Sequence, residues 1–377
     1  MERFVGGRLE LARKLRRVSA VELARSAGVS PEWVSALENQ DKEPTEATAA
    51  ALARELDLPT SFLYRPIRSE PRQDGFHFRA SSRLAKRDER AAVATSLLAA
   101  EVSEWIDAHY SLPECRVPEV QDLIDADTAL SPETAADVLR GHWGLGVTPV
   151  GSMLRLLESR GVRVFSLGGP VNALDAFSFR HDGVPIVFLN THKTAERLRY
   201  DLAHELGHLV MHAGSLDVED GRVKERQANE FASAFLMPRD GLIGTFRRAL
   251  EVDEVMRVKS IWRVSAMALV VRAHGLGQLS EWQYRSLAQR LSSAGFRKSE
   301  PGSSLTAETS LLLSQIMEDM RSNGETIADI ARDICVQPHD IRGLFLGLVT
   351  IALPGQSSSS TGARPDLRLV HSAHDAG

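Results

Sequence analysis

The chain has 377 residues, of which 43% are hydrophobic and 25% charged, enough apolar content for two or three folded cores. A formal net charge of -5 excludes a protein that grips nucleic acid through bulk charge and leaves only local contacts. The cysteines, Cys115 and Cys335, stand in dissimilar contexts, which excludes a disulfide framework and a thiolate metal site, and no apolar run of about 18 residues marks a secretion signal or membrane span; a cytoplasmic protein is expected.

Residues 5–65 read as short helices joined by brief turns, a compact all-helical module with Leu9, Leu15, Leu23, Val34, Leu37, Leu52 and Leu56 among its apolar positions. Within it, a helix, a turn at Gly28 and a second helix follow one another; Ser30 is placed to cap the second, with Pro31 in its first turn. Val29, Val34 and Leu37 then face the core, and Glu32, Trp33 and Ser35 lie on or near the face that can enter a major groove. Arg13, Lys14, Arg16, Arg17 and Lys42 are candidate phosphate contacts. The module as a whole is electrically balanced, with ten basic and ten acidic side chains in residues 1–66.

Pro66, Pro71 and Gly75 mark a linker, and a helix is predicted over 84–109. Ser131-Pro132 and Thr148-Pro149 each look like a helix start. Short β-type runs follow at 162–167, 174–180 and 184–189, with Asp182-Gly183 as a hairpin turn. Two further helices are predicted, over 194–212 and over 223–236, the second stopped by Pro238. Residues 241–350 are mostly helical again. The stretch 326–344 has the cadence of another helix-turn-helix, although two packed helices in a bundle are the favoured reading, and it receives no function. The expected organisation is 1–66, a helical linker region 67–130, a core 131–245, a helical region 246–354 and a disordered tail 355–377.

The chemistry concentrates in His204-Glu205-Leu206-Gly207-His208. Histidines four residues apart lie on one helix face, with Cβ atoms about 6 Å apart, and can converge on one Zn2+ ion. Glu205 is placed to act as the acid/base beside it, and Gly207 leaves room against a neighbouring strand. A site of this type needs a third protein ligand. Glu225 on the next helix is assigned that role, with Asn229 orienting a ligating histidine; Glu230, Glu219 and Asp220 are lower-ranked alternatives. His212 continues the histidine face by one turn, either as a polar residue at a frayed helix end or as a group that supports a ligating residue or contacts substrate, and His192 and Tyr200 could also approach the site.

The segments 197–212 and 225–238 resemble the ImmA/IrrE family of metallo-endopeptidases. The resemblance implies that His204, His208 and Glu225 bind zinc, that Glu205 is the catalytic acid/base, and that the substrate is a repressor or another regulatory protein. Residues 8–63 resemble the Xre-type repressors, through Leu37-Glu38-Asn39, Pro44 and the helix around Leu52, and depart from them at Ala20, where glutamine commonly stands. Together these imply a mainly α protein with an N-terminal all-α helix-turn-helix domain and a small α+β zincin-like peptidase domain. The expected partners are DNA, met through Ser30, Glu32, Trp33, Ser35, Arg16 and Lys42, a regulatory protein as substrate, and a second copy of the chain. A transcription factor whose zinc domain is a sensor or structural module, without proteolysis, is the alternative.

Overall fold

The computed structural model describes residues 3–67, 77–80, 85–124, 131–168, 174–212, 221–247, 250–297 and 299–349. Near the N-terminus, side-chain oxygens decide where helices begin. After α1 (Gly6–Leu15), Ser19 and Glu22 form a reciprocal cap on α2 (Ala20–Ala27). Ser30 accepts from the Trp33 N–H at the start of α3 (Pro31–Glu38), and Thr45 from the Thr48 N–H at the start of α4 (Glu46–Glu55). The turn between α2 and α3 passes through Gly28 in the left-handed region, at φ 71. Leu9, Leu23, Val34, Leu37, Leu52 and Leu56 are at most 1% exposed and belong to a core continuous with that of the rest of the molecule.

Beyond it, α5 (Lys86–His109) presents Ala92, Ala99 and Val102 to the core, and its small side chains let α1 approach closely. It touches both halves of the molecule: Glu101 pairs with buried Arg8 at 2.5 Å, while Asp107 and Glu104 pair with Arg163 and His181, each at 2.8 Å. The stretch read from sequence as linker contains a strand, β1 (His77–Ala80).

The sheet has the order β1-β3-β4-β2, with β2 (Arg163–Ser166), β3 (Leu174–His181) and β4 (Val184–Leu189). β3 and β4 form the expected hairpin, its turn made by Asp182 at φ 47 and Gly183 at φ 82. That pair of left-handed residues matches the strand twist. Helix α6 (Pro132–His142) starts at Ser131 as expected, but no helix starts at Thr148. The Thr148 carbonyl, which would accept the first helical hydrogen bond, instead accepts from buried Arg140 at 2.5 Å. Helix α7 (Met153–Ser159) begins under the Ser152 cap instead.

Helix α8 (Ala195–Met211), capped by Thr194, lies between the sheet and α9 (Gly221–Leu236). The close approach occurs at Gly207, where a Cβ would stand 3.0 Å from Phe231 and 3.3 Å from the Ala228 Cα. Gly207 thus makes room for α9 rather than for a strand. Gly207→Ala would regain about 1 kcal/mol of helix propensity, but Gly207→Val adds bulk with no such offset. We expect Gly207→Val to cost about 1–3 kcal/mol through overpacking, read as a lowered urea midpoint at unchanged slope.

The remaining helices are α10 (Arg239–Thr245), α11 (Val252–Trp262), α12 (Ala266–Gly275), α13 (Glu281–Ser293), α14 (Leu311–Ser322), α15 (Ile327–Asp333) and α16 (Pro338–Phe345). The last two, which carry the helix-turn-helix cadence, are packed into the body. Ile341 and Leu344 are buried, Phe345 stacks on Phe165 of β2, and Asp340 pairs with Arg16 of α1. The fold is therefore mainly helical with one small sheet. Among the described residues no helix is long and apolar enough to cross a membrane. The tail assigned to 355–377 lies outside the described residues.

Candidate metal centre and helix-turn-helix face

Because α8 is covered by the sheet on one side and α9 on the other, its polar residues are buried with it: His204 and Glu205 are 0% exposed and His208 2%. The i, i+4 spacing brings the two Nε2 atoms to 3.1 Å of each other. Glu225 of α9 closes a triangle, with carboxylate oxygens 3.4 Å from His204 Nε2 and 3.2 Å from His208 Nε2. A tetrahedral zinc with ligands about 2.0–2.1 Å away has donor–donor edges of about 3.3–3.4 Å. Three buried or half-buried donors at those separations, two imidazoles and a carboxylate, fit that ion. Burial works to raise the Glu225 pKa, but hydrogen bonds from His204 and His208 and their charge hold the carboxylate well below its ordinary range.

Glu205 points to the sheet side, where the Ser178 hydroxyl of β3 donates to its Oε2 at 2.7 Å. Nothing in the sequence singled out Ser178; its place beside the carboxylate comes from the packing of β3 on α8. The third histidine stands behind the ligand pair, one of the two roles expected of it. His212 is only 5% exposed, and its backbone N–H bonds the His208 carbonyl, so the helix end is not frayed. Its Nδ1 lies 3.0 Å from His208 Nδ1, and its Nε2 2.9 Å from Gln227 Oε1 of α9. It thus backs His208 on the side away from the donor triangle. That is the place assigned from sequence to Asn229, which does something else: its Nδ2 donates to the Glu225 carbonyl at 2.7 Å.

Tyr200 donates its hydroxyl to the Asn229 carbonyl at 3.0 Å. The alternative ligand Glu230 is exposed and stands 3.9 Å from Arg226, while Glu219 and Asp220 lie outside the described residues. A cleft of about 1710 Å³ opens beside the triangle, lined by Asp175, His192, Arg197, Tyr200, His208 and Glu225 among others. A second acidic and histidine cluster, Glu104, His181 and Asp182, is a histidine–carboxylate hydrogen bond with a loose third member: Asp182 is 78% exposed and 3.9 Å from the ring.

At the N-terminal module, Ser30 serves as the α3 cap, and Glu32 and Ser35 are exposed on that helix. The Glu32 carboxylate is held below its ordinary pKa by its own backbone N–H and by the Ser30 hydroxyl, which keeps the leading edge of α3 negative. Trp33 is half-buried, with the Lys42 ammonium 4.6 Å above its ring. Arg16 does not project toward a ligand. Its guanidinium holds Asp340 at 2.5 and 2.9 Å and donates to the Leu56 and Asp57 carbonyls. Arg13 is likewise engaged, bidentate with Glu38. Tertiary pairing has thus withdrawn two of the basic residues that sequence offered for phosphate contact.

Comparison with known families gives two matches. Residues 9–63 match the helix-turn-helix family model, and residues 157–274 match the M78 peptidase model, described as the IrrE N-terminal-like domain. No curated protein matches the chain. The second match takes in β2 to β4 and runs through α8 and α9 to α12, so it contains the whole donor triangle. The chain is therefore a fusion of an Xre-type helix-turn-helix domain with an ImmA/IrrE-like M78 peptidase domain.

Proposed function

We propose that the chain is a DNA-addressed regulator whose second domain is a zinc-dependent endopeptidase acting on a repressor or other regulatory protein. The observation that carries this reading is the donor triangle of His204, His208 and Glu225 with Glu205 adjacent in sequence and buried beside it. His204, His208 and Glu225 would hold a zinc ion, whose Lewis acidity would polarise a peptide carbonyl and activate water for attack on it. Glu205 accepts the proton released in the attack and returns it to the leaving amine nitrogen. Ser178 fixes the plane of that carboxylate through Oε2. His212, held by Gln227, sets the ring of His208 so that its Nε2 faces Glu225. A purely structural zinc site has no use for a buried carboxylate in the position of Glu205, which favours hydrolysis over a sensor module.

The test in cells is a comparison of proteomes between the wild-type chain and Glu205→Gln. A regulatory protein cut only in the wild type supports the reading, and identical cleavage products in both strains would remove it. His212→Ala should weaken zinc binding about 10–100-fold, measured by chelator competition, because outer partners of ligating histidines act at that scale. For the N-terminal domain, Trp33→Ala with Ser35→Ala is expected to abolish any sequence-selective gel shift. Failure of the wild-type chain to shift any genomic fragment would transfer the role of the module to protein contacts.

A further inference from the structure

The sheet edge beside Glu205 is occupied by a strand from outside the peptidase-family match. Within residues 157–274, β3 is the outermost strand next to α8, with β4 and then β2 on its other side. β1 comes from the segment between the two family matches and lies antiparallel along the outer edge of β3. His77 stands opposite Ser178, Phe78 opposite Phe177 and Ala80 opposite Leu174. Ser178 is the residue whose hydroxyl reaches Glu205, and Asp175, next to Leu174, lines the cleft shared with His208 and Glu225. Paired residues of antiparallel strands have Cα atoms about 4.5–5.5 Å apart. The β1 backbone therefore runs one strand spacing from the residue that touches the catalytic carboxylate.

A peptide to be hydrolysed has to lie extended beside Glu205 and the donor triangle. An open sheet edge binds such a backbone through its N–H and C=O groups, whatever the side chains. The opposite edge of this sheet, β2, is two strands farther away. On the reading that the domain is a peptidase, we propose that β1 fills the strand position a substrate backbone would take, so that the chain keeps its own inter-domain segment in its substrate groove. The pairing is built to be displaced. It spans four residues and shifts register between Phe78 and Ala80, so a substrate that pairs over a longer stretch forms more bonds than it breaks.

The test uses the full chain carrying Glu205→Gln, with and without Phe78→Pro, which removes a backbone donor and disfavours strand pairing at β1. The probe is a fluorescent synthetic peptide with the chain's own residues 74–84, its binding followed by anisotropy. Expected is binding about tenfold or more tighter to the Phe78→Pro protein, whose groove is vacated. His77→Gly with Phe78→Gly serves as a second opened variant should proline disturb the fold, and hydrogen exchange at the β3 amides should quicken in either. Equal peptide affinity for the paired and opened proteins overturns the proposal. Tighter binding to the opened protein, with identical cellular proteomes for the opened chain retaining Glu205 and for its Glu205→Gln counterpart, would leave the occupied edge standing and remove the peptidase reading instead.

Discussion

Glu205→Gln is expected to retain zinc at about one equivalent per chain and to lose hydrolysis of an unfolded protein substrate by about 10²- to 10⁴-fold. The amide is nearly the same size and keeps an oxygen for the Ser178 hydroxyl, so the packing of α8 on β3 survives. What disappears is the capacity to take a proton at neutral pH and hand it on. Because Glu205 is not one of the three donors that converge, metal content and melting temperature should stay close to wild type while turnover falls. A loss of zinc in parallel with turnover would show that Glu205 is a ligand and would recast the site. Turnover unchanged within a factor of two would mean that another group moves the proton.

His204→Ala should behave in the opposite way and lose the metal itself. The remaining pair, His208 Nε2 and Glu225, leaves one edge of 3.2 Å where three had closed a triangle. Zinc content is expected to drop from about one equivalent to background. The wild-type chain should melt at a lower temperature after chelation, since a ligand held at about 100 times its dissociation constant contributes about 2.7 kcal/mol to the folded state. The variant should not respond to chelator at all. Chelator-sensitive melting of His204→Ala would show that the metal is held elsewhere. The comparison also separates the two readings of the domain: a structural module would be destabilised by His204→Ala and indifferent to Glu205→Gln, whereas a peptidase loses turnover in both.

Much of the candidate site was legible because it is local. His204, Glu205 and His208 occupy one turn and a third of a helix, so their convergence follows from helix geometry alone. Ser30 and Ser131 likewise cap helices through bonds that span three residues. The same local reasoning failed at Thr148, where a long-range partner, Arg140, had already taken the carbonyl that a helix would need. It failed again at Gly207, which was matched to a strand although Phe231 and Ala228 of α9 are its actual neighbours. The partners of Asn229 and His212 were not legible for a related reason. Both residues lie on the faces where spacing put them, but α9 meets α8 in a rotation that gives Gln227 to His212 and turns Asn229 back on its own helix.

By itself, the sequence determined which residues can act together within an element: the histidine pair with Glu205, the Ser30 and Ser131 caps, and the paired helices of the N-terminal module. These depend on spacings of two to four residues, over which backbone geometry is nearly invariant. Only the tertiary structure decided that Glu225 closes the triangle at 3.2 and 3.4 Å, that Ser178 steadies Glu205, that Arg16 belongs to Asp340 and not to an exposed face, and that β1 lies along β3. Each of those contacts joins residues 17 or more positions apart in the chain, where the relative placement of two elements is set by the whole packed core.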